Sequence, residues 1–127
     1  PNTWVFVVGR YNGSYISIWI NGVLRNSLAT SGALPLPTGG IGIGGGNGDS
    51  PFTGSIANIQ LYNTSLSANV IQYLYTEGIG GAPTKLQNLV GWWPLNGNAG
   101  DYSGNNNNGQ INGVTFTGSW TSGYTAP

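Results

Sequence analysis

Apolar and polar positions alternate along this chain in short runs broken by turn residues, with little of the long apolar striping of a helical protein. Residues 4–8 form a continuous apolar run, Trp-Val-Phe-Val-Val, of the kind a buried strand carries. After Asn12-Gly13, residues 15–20 alternate, with Ile16, Ile18 and Ile20 on one face and Tyr15, Ser17 and Trp19 on the other. The three-Ile face is expected inward, where an Asp at position 18 would abolish folding, and Trp19 is expected outward. Asn21-Gly22 followed by Val23 and Leu24 is a hairpin signal, because a type I′ turn needs positive φ at both central residues. Further strands are predicted at 41–43, 55–62, 89–95 and 111–116, with the two Ile of the first pointing inward. One short helix is predicted after Ser67, a hydroxyl N-cap. Leu66 and Ile71 form its hydrophobic staple, Ile71, Leu74 and Tyr75 stand at helical spacing, and Gly78 is its left-handed stop. Residues 78–83 read as a linker.

The expected architecture is all-β, an antiparallel sandwich with one short helix and turns every 8–12 residues. Composition sharpens this. The 127 residues include 23 Gly and 7 Pro, yet 12% are aromatic, more than a disordered chain carries. Only three residues are basic (Arg10, Arg25, Lys85) and three acidic (Asp49, Glu77, Asp101), with no His, Cys or Met. That removes the His- and Cys-based nucleophile systems, ordinary zinc sites and disulfides. Three cations form no surface for a phosphate backbone, so no nucleic-acid partner is expected. No apolar run approaches the length of a membrane span. The absence of an initiator Met and of a signal-peptide pattern reads as a piece of something longer.

Residues 4–78 resemble the C-terminal half of a laminin-G-like domain of the concanavalin-A-like jelly-roll superfamily. The resemblance rests on Trp4-Val5-Phe6-Val7-Val8, on the Tyr15–Leu24 hairpin, on Ile41-Gly42-Ile43-Gly44-Gly45, on the run from Phe52 to Asn63, and on Leu66-Ser67 and Leu74-Tyr75. Residues 89–116 resemble the N-terminal strands of the same family: Leu89-Val90-Gly91-Trp92-Trp93-Pro94-Leu95, then Asp101-Tyr102-Ser103-Gly104, then Val114-Thr115-Phe116. The halves therefore stand in reversed order, 1–83 and 84–127, without the central strands between them. Either the chain spans the end of one repeat and the start of the next, or the permuted halves fold together, with 89–95 pairing beside 55–62. Both readings leave strand edges open to copies of the chain or to adjacent repeats.

The resemblance implies a jelly-roll sandwich in an extracellular, cell-surface protein. The superfamily includes glucanases, but their clustered Glu-Asp-Glu strand motif is absent and the carboxylates are scattered, so no enzyme is expected. Calcium is the cofactor the resemblance brings in, and Asp101 matches a position used for it. The family's acidic pair after Gly-x-Ile is replaced by Ala57-Asn58, and Asp101 also reads as a plain turn residue, so no metal is expected. Trp19, Trp92, Trp93 and Trp120 are candidates for sugar stacking or for an interface. Asn12 (Asn-Gly-Ser) and Asn63 (Asn-Thr-Ser) fit the glycosylation pattern. The expected function is a non-enzymatic structural module repeated or polymerised into a surface filament. The alternative is a carbohydrate-binding adhesion module with glycans as partners.

Overall fold

The computed structural model describes residues 3–35, 38–45 and 50–117. Its elements run in the order β1 (Val7–Tyr11), β2 (Tyr15–Ile20), β3 (Val23–Ala29), β4 (Ile59–Tyr62), α1 (Ala68–Glu77), a 3-10 turn (Leu86–Asn88) and β5 (Leu89–Trp93). All strand pairs are antiparallel. β1-β2-β3 form one sheet and β4-β5 a second. The architecture is thus all-β with one helix.

Local chemistry explains the best-formed elements. Asn21 (φ 50°) and Gly22 (φ 76°) are both left-handed, as the type I′ hairpin between β2 and β3 requires. The Asn21 side chain accepts a hydrogen bond from the Phe6 N–H at 3.0 Å and pins the chain entering β1. Helix α1 starts where the Ser67 hydroxyl accepts from the Val70 N–H (3.3 Å) and stops at Gly78 (φ 76°), whose N–H donates to the Tyr75 carbonyl. Leu66 and Ile71, the expected staple pair, lie in one core cluster with Leu74 and Trp19, flanked by Phe6, Val8, Tyr62 and Val70.

That cluster inverts the expected facing of β2. Trp19 is only 8% exposed, while Ile18 is 43% exposed and Ile16 47%. Helix α1 is the cover that the described residues supply, and the Trp19 face of the sheet packs against it. Arg10, on that face in the register opposite Ser17, lies 5.2 Å from the centroid of the Trp19 ring and donates to the Leu66 carbonyl. Ile18 is thus half-exposed, and Ile18→Asp is expected to keep the fold, contrary to the alternation-based expectation.

Two other predicted strands did not form. Residues 41–43 and 111–116 have no ladder partner among the described residues, and Ile41, Ile111 and Val114 are more than half exposed. Alternation marks a strand's faces, but only a partner satisfies its backbone groups. The strand expected over 4–8 is shifted to Val7–Tyr11 for the same reason, since it pairs only where β2 runs beside it.

The pairing that joins the two halves is present. Ile59 stands opposite Trp93, Gln60 opposite Trp92 and Leu61 opposite Gly91. Gly91 is required there, because the Trp93 ring folds back so closely that a Cβ would collide with it.

Ile71 is fully buried at the centre of the helix-side core. Ile71→Ala is expected to lower unfolding free energy by about 2–5 kcal/mol in a denaturant titration.

Candidate functional site

Three of the residues singled out from sequence, Trp92, Trp93 and Asp101, come together at β5. The Asp101 carboxylate lies beside the strand and accepts four hydrogen bonds. Its Oδ1 receives the N–H groups of Trp92 and Ser103, each at 2.9 Å. Its Oδ2 receives the Ser103 hydroxyl at 2.9 Å and the Asn107 N–H at 2.8 Å. Partial desolvation pushes this carboxyl up, but the hydrogen bonds from Trp92, Ser103 and Asn107 together outweigh it and hold its pKa below the ordinary value.

Asp101 thereby organises the Asn-rich loop along the margin of β5. Asn105 Nδ2 donates to the carbonyls of Leu89 (2.9 Å) and Val90 (3.1 Å), and Asn107 Nδ2 donates to Val90 at 2.9 Å. The Trp93 indole N–H donates to the Asn107 carbonyl, and the Tyr102 N–H to the Trp92 carbonyl, each at 2.8 Å. Side-chain amides thus occupy acceptors that an open edge would offer to another strand.

On the other side of Trp92, its indole N–H donates to Asn58 Oδ1 at 2.8 Å. Asn58, held at φ 52°, also donates through Nδ2 to the Gly81 carbonyl, and Gln60 Nε2 bonds both Asn58 and Gly81. Gln60 Oε1 accepts from the Tyr62 hydroxyl (2.8 Å), which itself accepts from the Thr84 N–H. Burial raises the Tyr62 pKa, offset in part by the bonds with Thr84. Sequence reading treated Asn58 only as a replaced acidic position and gave Gln60 and Tyr62 no role. Their signal was polar side chains at every second position, 58, 60 and 62, on one face of the strand.

The donor set does not fit calcium. Of the three positions implied for the metal, Ala57 has no side-chain oxygen, and Asn58 and Asp101 present their oxygens to N–H groups of Trp92. Both oxygens of Asp101, the one carboxylate at this loop among the described residues, already receive chain donors, whereas calcium takes six to eight oxygens of its own. Among the described residues, no three of His, Cys, Asp and Glu gather into a metal-binding group.

The remaining candidates are placed as follows. Trp92 and Trp93 are 5% and 7% exposed within the chain's own β4-β5 layer, and Trp19 is buried under α1. Little of these three rings is open to solvent. Trp120 lies outside the described residues. Asn12 is exposed at the β1-β2 turn, where its Oδ1 accepts from the N–H groups of Ser14 and Tyr15. Asn63 is exposed and accepts from Asn88 Nδ2. The aromatic missed from sequence is Trp4, 53% exposed, which lines a groove of about 380 Å³ together with Phe6, Tyr75, Asn21, Asn58 and Gln60.

The model for the Concanavalin A-like lectin/glucanases superfamily, in its laminin G form, matches residues 1–72, more than half of the chain. The chain belongs to this superfamily. No curated protein and no solved structure matches it. In this laminin-G-like chain the matched region takes in the β1-β3 sheet, β4 and the start of α1. No described helix is long and apolar enough to cross a membrane.

Two outcomes are expected. Because the folded Asp101 carboxyl has a lowered pKa, its contribution to stability is present above the unfolded value of about 3.9 and is lost as pH falls through the folded value. Asp101→Asn is expected to cost about 1 kcal/mol near neutral pH, discounted for solvent screening, and to flatten the acid limb of a melting-temperature profile. EDTA is expected to move the melting temperature by less than ~5 °C, which corresponds to about 1 kcal/mol for a domain of this size.

Proposed function

We propose that this laminin-G-like chain is a non-enzymatic extracellular structural module that repeats in tandem or self-associates into a surface filament. One observation carries the reading: the β1-β3 sheet has apolar side chains on both faces, and the described residues cover one. Val7, Ile16, Ile18, Val23 and Leu28 are each 43–67% exposed on the other. A sheet face of this kind needs a second layer. With six formal charges in the chain, copies repel one another little. The β4-β5 pairing supports the permuted reading, in which 1–83 and 84–127 contribute to one domain. The exposed sequons support glycans at Asn12 and Asn63, which would supply solubility that the few charges do not.

A second reading, carbohydrate binding in an adhesion module, is favoured by the groove beside Trp4, where aromatic faces and amides share one wall. Against it, the amides of Asn58 and Gln60 are already spent on Gly81, Trp92 and Tyr62.

Light scattering between about 0.05 and 1 M salt decides between the two. Assemblies larger than a monomer, with sizes nearly independent of salt, are expected, because few ion pairs exist to be screened. A monomer at every salt concentration that binds a glycan array, and loses binding on Trp4→Ala, would overturn the structural reading in favour of the lectin.

A further inference from the structure

The face of the β1-β3 sheet that the described residues leave uncovered has a defined composition. The ladder registers set three rows across it: Val7, Ile20 and Val23; Gly9, Ile18 and Asn26; Tyr11, Ile16 and Leu28. None of these nine residues is charged, and the one amide is Asn26. The cation of β1, Arg10, is on the opposite face in the row with Ser17. The exposed aliphatic side chains amount to a patch on the order of 400 Å², the size at which a surface patch on a monomer marks a contact site.

Two of the sheet edges, β3 and β5, are by contrast guarded. Between Ile18 and Trp19 the β2-β3 register slips, so that Asn26 faces Ile18, Leu24 faces Trp19, and Arg25 is left in a bulge with no partner in the ladder. A bulge with a charge in it discourages further strand pairing. Along β5, Asn105 and Asn107 hold the Leu89 and Val90 carbonyls. Edge pairing, the mode expected from sequence, is thus opposed at β3 and β5, while nothing comparable interrupts the apolar face.

We propose that this face packs on the same face of a second copy, so that two three-stranded sheets close a sandwich between molecules with Ile18 near the two-fold axis. The proposal rests on the self-association reading above and names its surface. A second copy fits for three reasons. An uncharged aliphatic face is complementary to itself, as a two-fold contact requires. Facing sheets pack about 10 Å apart with interdigitated aliphatic side chains, and these rows supply them. The area fits a transient contact: two such patches bury on the order of 800 Å², in the range of weak, reversible association. The dimer is therefore expected to be reversible and concentration-dependent. In a chain of tandem repeats the same contact would join two chains side by side.

Sedimentation velocity over about 1–200 μM chain, spanning the range where micromolar contacts dissociate, tests the proposal on three proteins. The native chain is expected to shift from monomer to dimer with concentration. Ile18→Lys, at a half-exposed position, is expected to keep the native circular dichroism and to weaken dimerisation at least tenfold. Arg25→Ser, which removes the charge guarding the β3 edge, is expected to leave the dimer unchanged. Leu28→Lys, at the most exposed position of the face, replaces Ile18→Lys if that variant does not fold. A folded face variant that dimerises like the native chain would overturn this surface and leave self-association standing. A tighter association of Arg25→Ser would assign the contact to the edge. A native chain that stays monomeric throughout would overturn both.

Discussion

A β-sheet with two apolar faces needs two covers, and helix α1 supplies one. Most of the described structure follows from that inequality. Ile71 and Leu74 of the helix close over Trp19, and Arg10 fills the margin of this core with its stem while its guanidinium lies over the indole ring. The second cover is owed to the aliphatic rows around Ile18. In water, those half-exposed rows forfeit burial worth about 1 kcal/mol for each large aliphatic side chain, roughly half the value of full burial.

The second sheet is held differently. It is short, and its coherence comes from polar contacts converging on Trp92, whose backbone N–H reaches Asp101 and whose indole N–H reaches Asn58. Donors from one tryptophan engage the Asn58 and Asp101 oxygens that the family resemblance would turn to a cation. Asp101, the loop's one carboxylate, uses its charge to gather N–H and O–H donors. The loop it orders then lays Asn105 and Asn107 along the margin of β5. A chain with almost no surface charge thus protects this strand with amides, where more highly charged proteins use lysine.

Much of this was legible in the residues. Ser67, Gly78 and Asn21-Gly22 announced the helix ends and the hairpin because capping and left-handed turns depend on a few adjacent atoms. The pairing of 89–95 beside 55–62 followed from the family pattern, and Asp101 was readable as a turn residue. What failed was everything set by the cover. Strict alternation at 15–20 separates two faces but does not say which one a helix fifty residues later will reach, so Trp19 and Ile18 were assigned the wrong way round. The runs at 41–43 and 111–116 carried strand composition without a partner to complete a ladder. The Asn58-Gln60-Tyr62 network was invisible because three amides and hydroxyls acquire meaning only when Gly81 and Trp92 are brought beside them.

The central claim is that the Ile18 face is a core surface completed by another copy. Isotope-filtered NOE spectroscopy on a mixture of labelled and unlabelled chains measures this directly. Contacts between the methyl groups of Ile16, Ile18 and Val7 of one molecule and those of another are predicted in the mixed sample. Intermolecular contacts confined to other residues, or Ile18 methyls that meet only water at every concentration, would contradict the account.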